Sequence, residues 1–386
     1  MDLARIQDSL RRQNLDAWLF FDHHGRDPLA YKVLGMSPPA HITRRWYYLI
    51  PAEGDPVGLV HRIESGVISA LPGEKLKYST WQEQHAGIAR LLGKAKRIAM
   101  QYSPRCAVPY VSMVDAGTIE LVRELGVEVT TSAELIQEFE ACLTEIQFAS
   151  HLEAGVLMDK IRAGAFQLIN EKLGHIDELT VRDWIRDQFQ QANLITDSGP
   201  IVGVNANAGN PHYDPTPATN KPINPDDFVL IDMWAKFNRL NAVYYDITWT
   251  GYCGTPTARI REVFETVRDA RDCAMKAVAA AIAAHRDIRG FEVDDAARNQ
   301  IRDKGYGDQF VHRTGHSIGT EVHGAGANMD NLETHDERRL LPGSLFSIEP
   351  GIYLEDFGVR SEINMFVKAN EAVTTGEVQR DLVRIG

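Results

Sequence analysis

Four acidic residues stand alone in apolar, strand-like stretches of this chain. Asp232 lies inside FVLIDMWA, Asp246 inside VYYDITW, Glu349 inside FSIEPG and Glu362 inside VRSEINMFV. A fifth residue, His316, sits in HRTGHSIG, a segment punctuated by Gly315 and Gly319. Burying a carboxylate costs several kcal/mol unless it is paired or bound to metal. One such acid is ordinarily the partner of an arginine, and one such histidine is ordinarily a hydrogen-bonded core residue. Four carboxylates and one imidazole together also suit two divalent cations of the hard, oxygen-preferring kind. The pattern alone leaves both readings standing. Asp226 and Asp227 of NPDDF show the contrast, being adjacent, turn-located and solvated.

A helical single-zinc site is the other chemistry to test. His312 and His316 have the four-residue spacing of the HExxH motif. Arg313 stands where that motif carries its glutamate, and Val322 where a third ligand would follow. Gly315 and Gly319 would each cost a helix about 1 kcal/mol relative to Ala. The stretch therefore reads as a strand or loop that presents its side chains singly. Cys106, Cys142, Cys253 and Cys273 are dispersed and form no CxxC pair, which argues against a disulfide framework and a thiolate site and fits a reducing compartment.

The elements that must position these groups can be traced by periodicity. Leu3, Ile6 and Leu10 share one helical face, and AWLFF follows as a buried strand. RRWYYLIP and PVGLVH flank the turn A-E-G-D as a hairpin, then HAGIARLL, RIAMQY, DAGTIELVREL and VEVTT alternate helix and strand. Residues 133–173 have helical spacing, and a further helix is expected from an N-cap at Thr180 to about Asn193. After Gly199 the chain is loop-rich and polar. FVLIDMWA and NAVYYDITWTGYC read as strands, ARIREVFETVRDARDCAMKAVAAAIAAH as a long amphipathic helix, and residues 293–304 as a shorter one. SLFSIEPGIYL and VRSEINMFVKA are strands again. The expected division is an α/β domain over residues 1–140 and a second domain over 141–386.

Bulk properties narrow the function classes. The 386 residues are 44% hydrophobic and 24% charged, the balance of a globular protein with more than one domain. A net charge of −12 with no run of Lys and Arg disfavours nucleic acid as a partner. No apolar stretch reaches the length of a membrane span, and the charged N-terminus lacks the core of a signal peptide, so the expected location is cytoplasmic.

The ordered set D…D…GHSIG…H…IEPG…E resembles the pita-bread metallopeptidases over about residues 145–386. That family includes methionine aminopeptidase, aminopeptidase P, prolidase and creatinase. The preceding residues look like the N-terminal domain of the Xaa-Pro dipeptidase, aminopeptidase P and creatinase branch. The resemblance implies an α/β N-terminal domain followed by an α+β pita-bread catalytic domain. It implies two divalent ions (manganese first, with cobalt, iron or zinc as alternatives) held by Asp232, Asp246, His316, Glu349 and Glu362, with Asp246 and Glu362 bridging. His212, His312 and His323 match the non-ligand histidines of the proline-specific branch, and Arg360 matches an arginine that orients Glu362 or Asp232.

The activity implied is hydrolysis of Xaa-Pro bonds in dipeptides or short peptides. Two ions would lower the pKa of a shared water and polarise the scissile carbonyl. Glu349 would carry the proton to the leaving nitrogen. His323 and His212 would donate to the developing oxyanion, and His312 would line the pocket for the residue after the scissile bond. A neutral-to-alkaline optimum follows, because the ligands bind when ionised. A homodimer is what the branch commonly shows. The competing readings are a creatinase-like or lyase-like enzyme acting on a small non-peptide substrate, and a peptide-binding member without catalysis. Asp232 and Asp246 also lie further apart than is usual in the family, which implies a longer hairpin at KFNRLN.

Overall fold

The apolar run AWLFFD forms β1 (Ala17–Asp22), every residue of which is buried. A computed structural model describes residues 1–37 and 41–386. They divide into two compact units, Met1–Glu140 and Ala141–Gly386.

In the first unit, α1 (Leu3–Arg12) starts where the Asp2 side chain accepts the Arg5 N–H. β1 pairs antiparallel with β2 (Trp46–Pro51), and β2 pairs antiparallel with β3 (Val57–His61), so the expected hairpin is present. β4 (Glu74–Tyr78) runs parallel to β3. β5 (Arg97–Met100) runs parallel to β1, and β6 (Glu128–Thr131) parallel to β5. The sheet order is β4-β3-β2-β1-β5-β6. Helices α2 (Pro28–Leu34), α3 (Trp81–Leu92), α4 (Ala116–Glu124) and α5 (Ala133–Ile136) complete the unit. Leu19, Phe21, Tyr47, Leu59, Ile88, Ile98 and Val122 belong to one core cluster, which is what the strand-helix alternation requires.

The second unit opens with α6 (Glu145–Glu171). The helical stretch expected over 133–173 is interrupted because Thr144 caps a new helix: its hydroxyl accepts the Gln147 N–H while the Gln147 side chain accepts the Thr144 N–H. β7 (Ile176–Asp177) leads into α7 (Glu178–Gln191). The cap of α7 is Asp177 and not Thr180; the Asp177 carboxylate accepts the Thr180 N–H at 2.8 Å, which places Thr180 inside the first turn. β8 (Leu194–Ile195) and β9 (Ile201–Val204) follow, the latter inside a segment whose polarity had suggested loop alone. Pairing with β11 stabilises β9 against that local composition.

β10 (Pro222–Ile223), β11 (Phe228–Phe237) and β12 (Tyr245–Cys253) come next, β11 and β12 pairing antiparallel. Then come α8 (Ala258–Ala283) and α9 (Gly290–Asp303). The C-terminal strands are β13 (Leu345–Ile348), β14 (Gly351–Tyr353), β15 (Gly358–Arg360), β16 (Ile363–Val367), β17 (Ala372–Thr375) and β18 (Val383–Ile385). One sheet has the order β18-β12-β11-β8 with β9 on β11, and another has the order β13-β16-β17. Among the described residues no helix is long and apolar enough to cross a membrane.

Strand alternation decides which way β11 and β12 present their side chains. Val229, Ile231, Met233, Ala235, Tyr245 and Ile247 join the core against α6 and α7. Phe228, Leu230 and Tyr252 lie on the opposite face, in the core with α8 and α9. Asp232 and Trp234 continue that second face along β11, as Asp246 and Thr248 do along β12. The ladder places Asp232 opposite Thr248 and Trp234 opposite Asp246.

One buried acid organises the loop that carries His212. The Glu178 carboxylate accepts the backbone N–H of Val204 (2.7 Å) and Lys221 (2.9 Å), the Asn207 amide (2.9 Å) and the Tyr213 hydroxyl (2.7 Å). Glu178→Ala removes the acceptor of these donors, of which the Val204 N–H and the Tyr213 hydroxyl are buried, and each unsatisfied buried group costs about 1–3 kcal/mol. The expected outcome is a fall in the urea midpoint and faster proteolysis within residues 204–221, measured by limited digestion.

Candidate metal centre

Asp232, Asp246, His316 and Glu362 are buried and Glu349 is nearly so, and all five line one cavity of about 540 Å³. Local pairing explains the convergence. Glu349 directly follows β13 and Glu362 sits two residues after β15, just before β16; β13 and β16 are antiparallel partners, so both acids lie at one end of that ladder. The Glu362 N–H donates to the Thr248 carbonyl at 3.1 Å, joining this end to β12. Asn364 adds a second tie: its Oδ1 accepts the Asp246 N–H at 3.1 Å and its amide donates to the Asp246 carbonyl. The glycine-rich segment runs beside β13 without forming a helix. Ile318 N–H donates to the Leu345 carbonyl (2.8 Å), Ser347 N–H to the His316 carbonyl (2.9 Å) and Glu349 N–H to the Thr314 carbonyl (2.7 Å). A Cβ on Gly315 would lie 2.0 Å from the Ser347 carbonyl oxygen, so only glycine permits this approach.

The side chains bring several carboxylates and an imidazole together in one buried cluster. One donor atom each from Asp246, His316 and Glu362 lies within 4.8 Å of the others. His316 Nδ1 faces the Ser317 carbonyl at 3.2 Å and must donate there. Its Nε2 lone pair then faces Asp246 Oδ2 at 3.5 Å and Glu349 Oε1 at 3.4 Å. Three electron-rich atoms facing one another repel unless a cation or protons lie between them. Among the described residues the buried Asp232 Oδ1 and Glu362 Oε1 have no hydrogen-bond partner. Burial, and then the neighbouring Asp232, pushes the Asp246 carboxyl well above the usual range. Burial also raises the Glu349 carboxyl, and burial with Asp246 and Glu349 pushes Glu362 well above the usual range. Orphaned oxygens, an imidazole held neutral by burial and a carboxylate-rich donor set fit hard divalent cations.

The groups around the cluster are ordered by arginine. Arg360 donates from Nη2 to Asp232 Oδ2 (2.5 Å), from Nε to Thr248 Oγ1 (3.0 Å) and from Nη1 to the Tyr353 hydroxyl (2.8 Å). Thr248 in turn donates to Glu362 Oε2 at 2.8 Å. Arg360 thus binds Asp232 directly and reaches Glu362 only through Thr248. The Tyr353 hydroxyl lies 2.7 Å from His312 Nε2, and His312 Nδ1 lies 2.6 Å from the Arg313 carbonyl. The carbonyl can only accept, so Nδ1 carries the proton and Tyr353 donates to Nε2. Burial and the Arg360 charge push the His312 pKa down to about 3, keeping the ring neutral.

His312 lines the cavity with both nitrogens engaged and offers a ligand only its ring face. His323 and His212 also line it and are exposed, the His323 ring standing edge-on to His316 at 4.4 Å between centroids. Thr248, Tyr353 and Asn364 complete the arrangement and were not singled out in the sequence. Alternation could have indicated Thr248, two residues from Asp246 on the same face of β12.

Comparison with known proteins gives the family. Residues 149–369, more than half of the chain, match the model of metallopeptidase family M24. The chain belongs to metallopeptidase family M24. Among curated M24 relatives, the Xaa-Pro dipeptidase of Pyrococcus furiosus is 35% identical over 167 residues, 43% of this chain and 44% of that protein. The Xaa-Pro dipeptidase of Lactobacillus delbrueckii subsp. lactis is 35% identical over 202 residues, 51% of this chain and 50% of that protein. The chain therefore spans about half the length, or less, of the curated relatives it matches in this way. Among solved structures, dipeptidase PepE from Mycobacterium ulcerans superposes with a TM-score of 0.73 at 22% identity, covering 99% of this chain and 96% of that one. The prolidase from Pyrococcus horikoshii OT3 gives 0.64 at 24% identity, covering 99% of each chain. At these identities the likeness establishes the fold: an α/β N-terminal part and an α+β pita-bread part.

The raised carboxyl pKa values have a measurable consequence. In metal-free protein the folded state holds protons that the unfolded chain has released. The associated stability is complete below the unfolded carboxyl pKa, about 4, and is lost as pH rises through the raised folded values. Asp246→Asn removes one such group. Under chelation the variant should melt above wild type, by a margin that widens from about pH 5 to about pH 8. Added divalent metal should raise the wild-type Tm and leave the variant nearly unmoved. Scanning calorimetry checks both signs.

Proposed function

We propose that this chain is a dinuclear metal-dependent peptidase that hydrolyses Xaa-Pro bonds in dipeptides or short peptides. The observation that carries the reading is the gathering of Asp232, Asp246, His316, Glu349 and Glu362 around orphaned buried oxygens in a member of this family. The curated relatives named Xaa-Pro dipeptidase support the substrate class. In this reading residues 1–140 are the prolidase-type N-terminal domain and 141–386 the catalytic domain; the protein is a cytoplasmic homodimer, and manganese is the first choice of metal.

The five residues would hold two divalent cations. Bound there, such ions acidify water and polarise a carbonyl oxygen. The chain's own groups supply the rest. Glu349 borders the cavity with one carboxylate oxygen on Ser347 Oγ at 3.1 Å, and it takes the proton of the attacking water and returns it to the leaving nitrogen. His323 and His212, at the exposed side of the cavity, donate to the carbonyl oxygen as it gains charge. Neutral His312, held by Tyr353, forms an uncharged ring wall suited to an apolar residue such as proline. Arg360 neutralises Asp232 and keeps Tyr353 pointed at His312.

The decisive experiment joins elemental analysis with a panel of Xaa-Pro dipeptides and longer peptides. Wild type should carry about two ions per chain, lose turnover on chelation and regain it with manganese or cobalt. Asp246→Asn should lose both ions and activity. Absence of turnover on every proline peptide in metal-loaded wild type would defeat the peptidase reading in favour of a small non-peptide substrate.

A further inference from the structure

The hairpin that joins Asp232 to Asp246 takes no part in the chemistry above, yet it grips the loop that carries His323. β11 runs on past Trp234, and Lys236 continues the face that bears Asp232 and Trp234. The last ladder pair is Ala235 opposite Tyr245, so one step further Lys236 comes beside Tyr244. These two residues hold consecutive carbonyls of one loop. The Tyr244 N–H donates to the Gly319 carbonyl at 3.0 Å, and the Lys236 ammonium donates to the Thr320 carbonyl. Lys236 Nζ also stands 4.8 Å from the centroid of the Tyr244 ring.

The loop is closed at its base: the Gly324 N–H donates to the Ser317 carbonyl at 2.6 Å and the Gly319 N–H to the Glu321 carbonyl at 3.0 Å. Val322 is buried in a small apolar cluster with Val243, Tyr244, Ile318, Leu345 and Phe366. The next residue, His323, lines the cavity with its ring edge-on to His316. Apolar burial sets how deep the loop sits, but it has no direction and leaves the loop free to pivot about Val322. The tie to Lys236 lies on the other limb of the loop from His323 and opposes that pivot. Lys236 is half-buried, and among the described residues it forms no ion pair. Ordering a lysine side chain costs entropy. Here a charge-assisted hydrogen bond and a cation–π contact offset that cost, and both hold the loop to the hairpin.

We propose that Lys236 is a positioning residue for His323, holding the Thr320–His323 loop so that the imidazole stays where the substrate carbonyl gains charge. The proposal rests on the peptidase reading and adds which side chain sets the place of that donor. Without the ammonium the Thr320 carbonyl turns to water, and the loop pivots on Val322 and carries His323 away from His316.

The test compares wild type with Lys236→Met, which keeps an unbranched chain without its donors, and Lys236→Arg, which keeps a cationic donor. Hydrogen–deuterium exchange of the metal-loaded proteins gives a readout independent of turnover. The Gly319 and Gly324 amides should exchange faster in Lys236→Met, and those of β11 and β12 should not. On Ala-Pro, Lys236→Met should lower kcat about tenfold, the loss of one hydrogen bond to a charged group, while KM and metal content hold. Lys236→Arg should recover most of both readouts. In a His323→Ala background Lys236→Met should cost nothing further, because the residue it positions is gone. The proposal is overturned if exchange in the loop is unchanged, or if Lys236→Met lowers kcat equally with and without His323. Faster loop exchange in Lys236→Met with no turnover by wild type on any proline peptide sinks the peptidase reading and leaves the tie; turnover with unchanged exchange does the reverse.

Discussion

Confining several carboxylates in one buried space is the constraint on which this structure turns. Asp246, Glu349 and Glu362 cannot all ionise there without compensation, because the medium that would screen them has been removed. Arg360 is the obvious counter-charge, but its Nη2 is committed to Asp232. The remaining negative charge needs protons or cations. The two occupants differ in consequence: protons keep the carboxyls neutral and inert, whereas cations turn them into ligands and prepare a site for hydrolysis.

The fold resists that repulsion by placing each acid on or beside a strand that is anchored in a core. The faces of β11 and β12 opposite the acids pack against α6 and α7. The β13–β16 ladder adds Ile348, Ile363 and Met365 to the core beneath α8 and α9. Hydrogen bonds then set orientation. Asn364 clasps the backbone of Asp246 from both sides, and Thr248 relays Arg360 to Glu362. A ligand set on such elements is held before any ion arrives, which lowers the ordering cost of binding.

Strands and their ends carry the acids, while loops carry other histidines that line the cavity. His212 lies on a loop held by Glu178, and His323 on the segment after the glycine-rich stretch. Trp234 is the exception, a strand residue reaching the rim, and the loop at Asp197 and Gly199 fixes it there. His312 is removed from hydrogen-bonding duty by Tyr353 and the Arg313 carbonyl, which leaves an apolar ring face.

Much of this was legible in the sequence. A charge inside an apolar run is conspicuous because its cost must be met somewhere, and Asp232, Asp246, Glu349 and Glu362 announced themselves in that way. Strand and helix periodicity placed the hairpin of β2 and β3, the pair β11 and β12 and the long α8. Local signals failed where tertiary pairing overrode composition, as at β9, or where a neighbour capped better, as Asp177 does before Thr180. Only the folded chain decided that Arg360 serves Asp232 and that both His312 nitrogens are engaged. Those outcomes depend on distances between residues far apart in the chain, which no local pattern encodes. Composition and periodicity determine which groups must be buried; the packing of distant strands determines what they meet there.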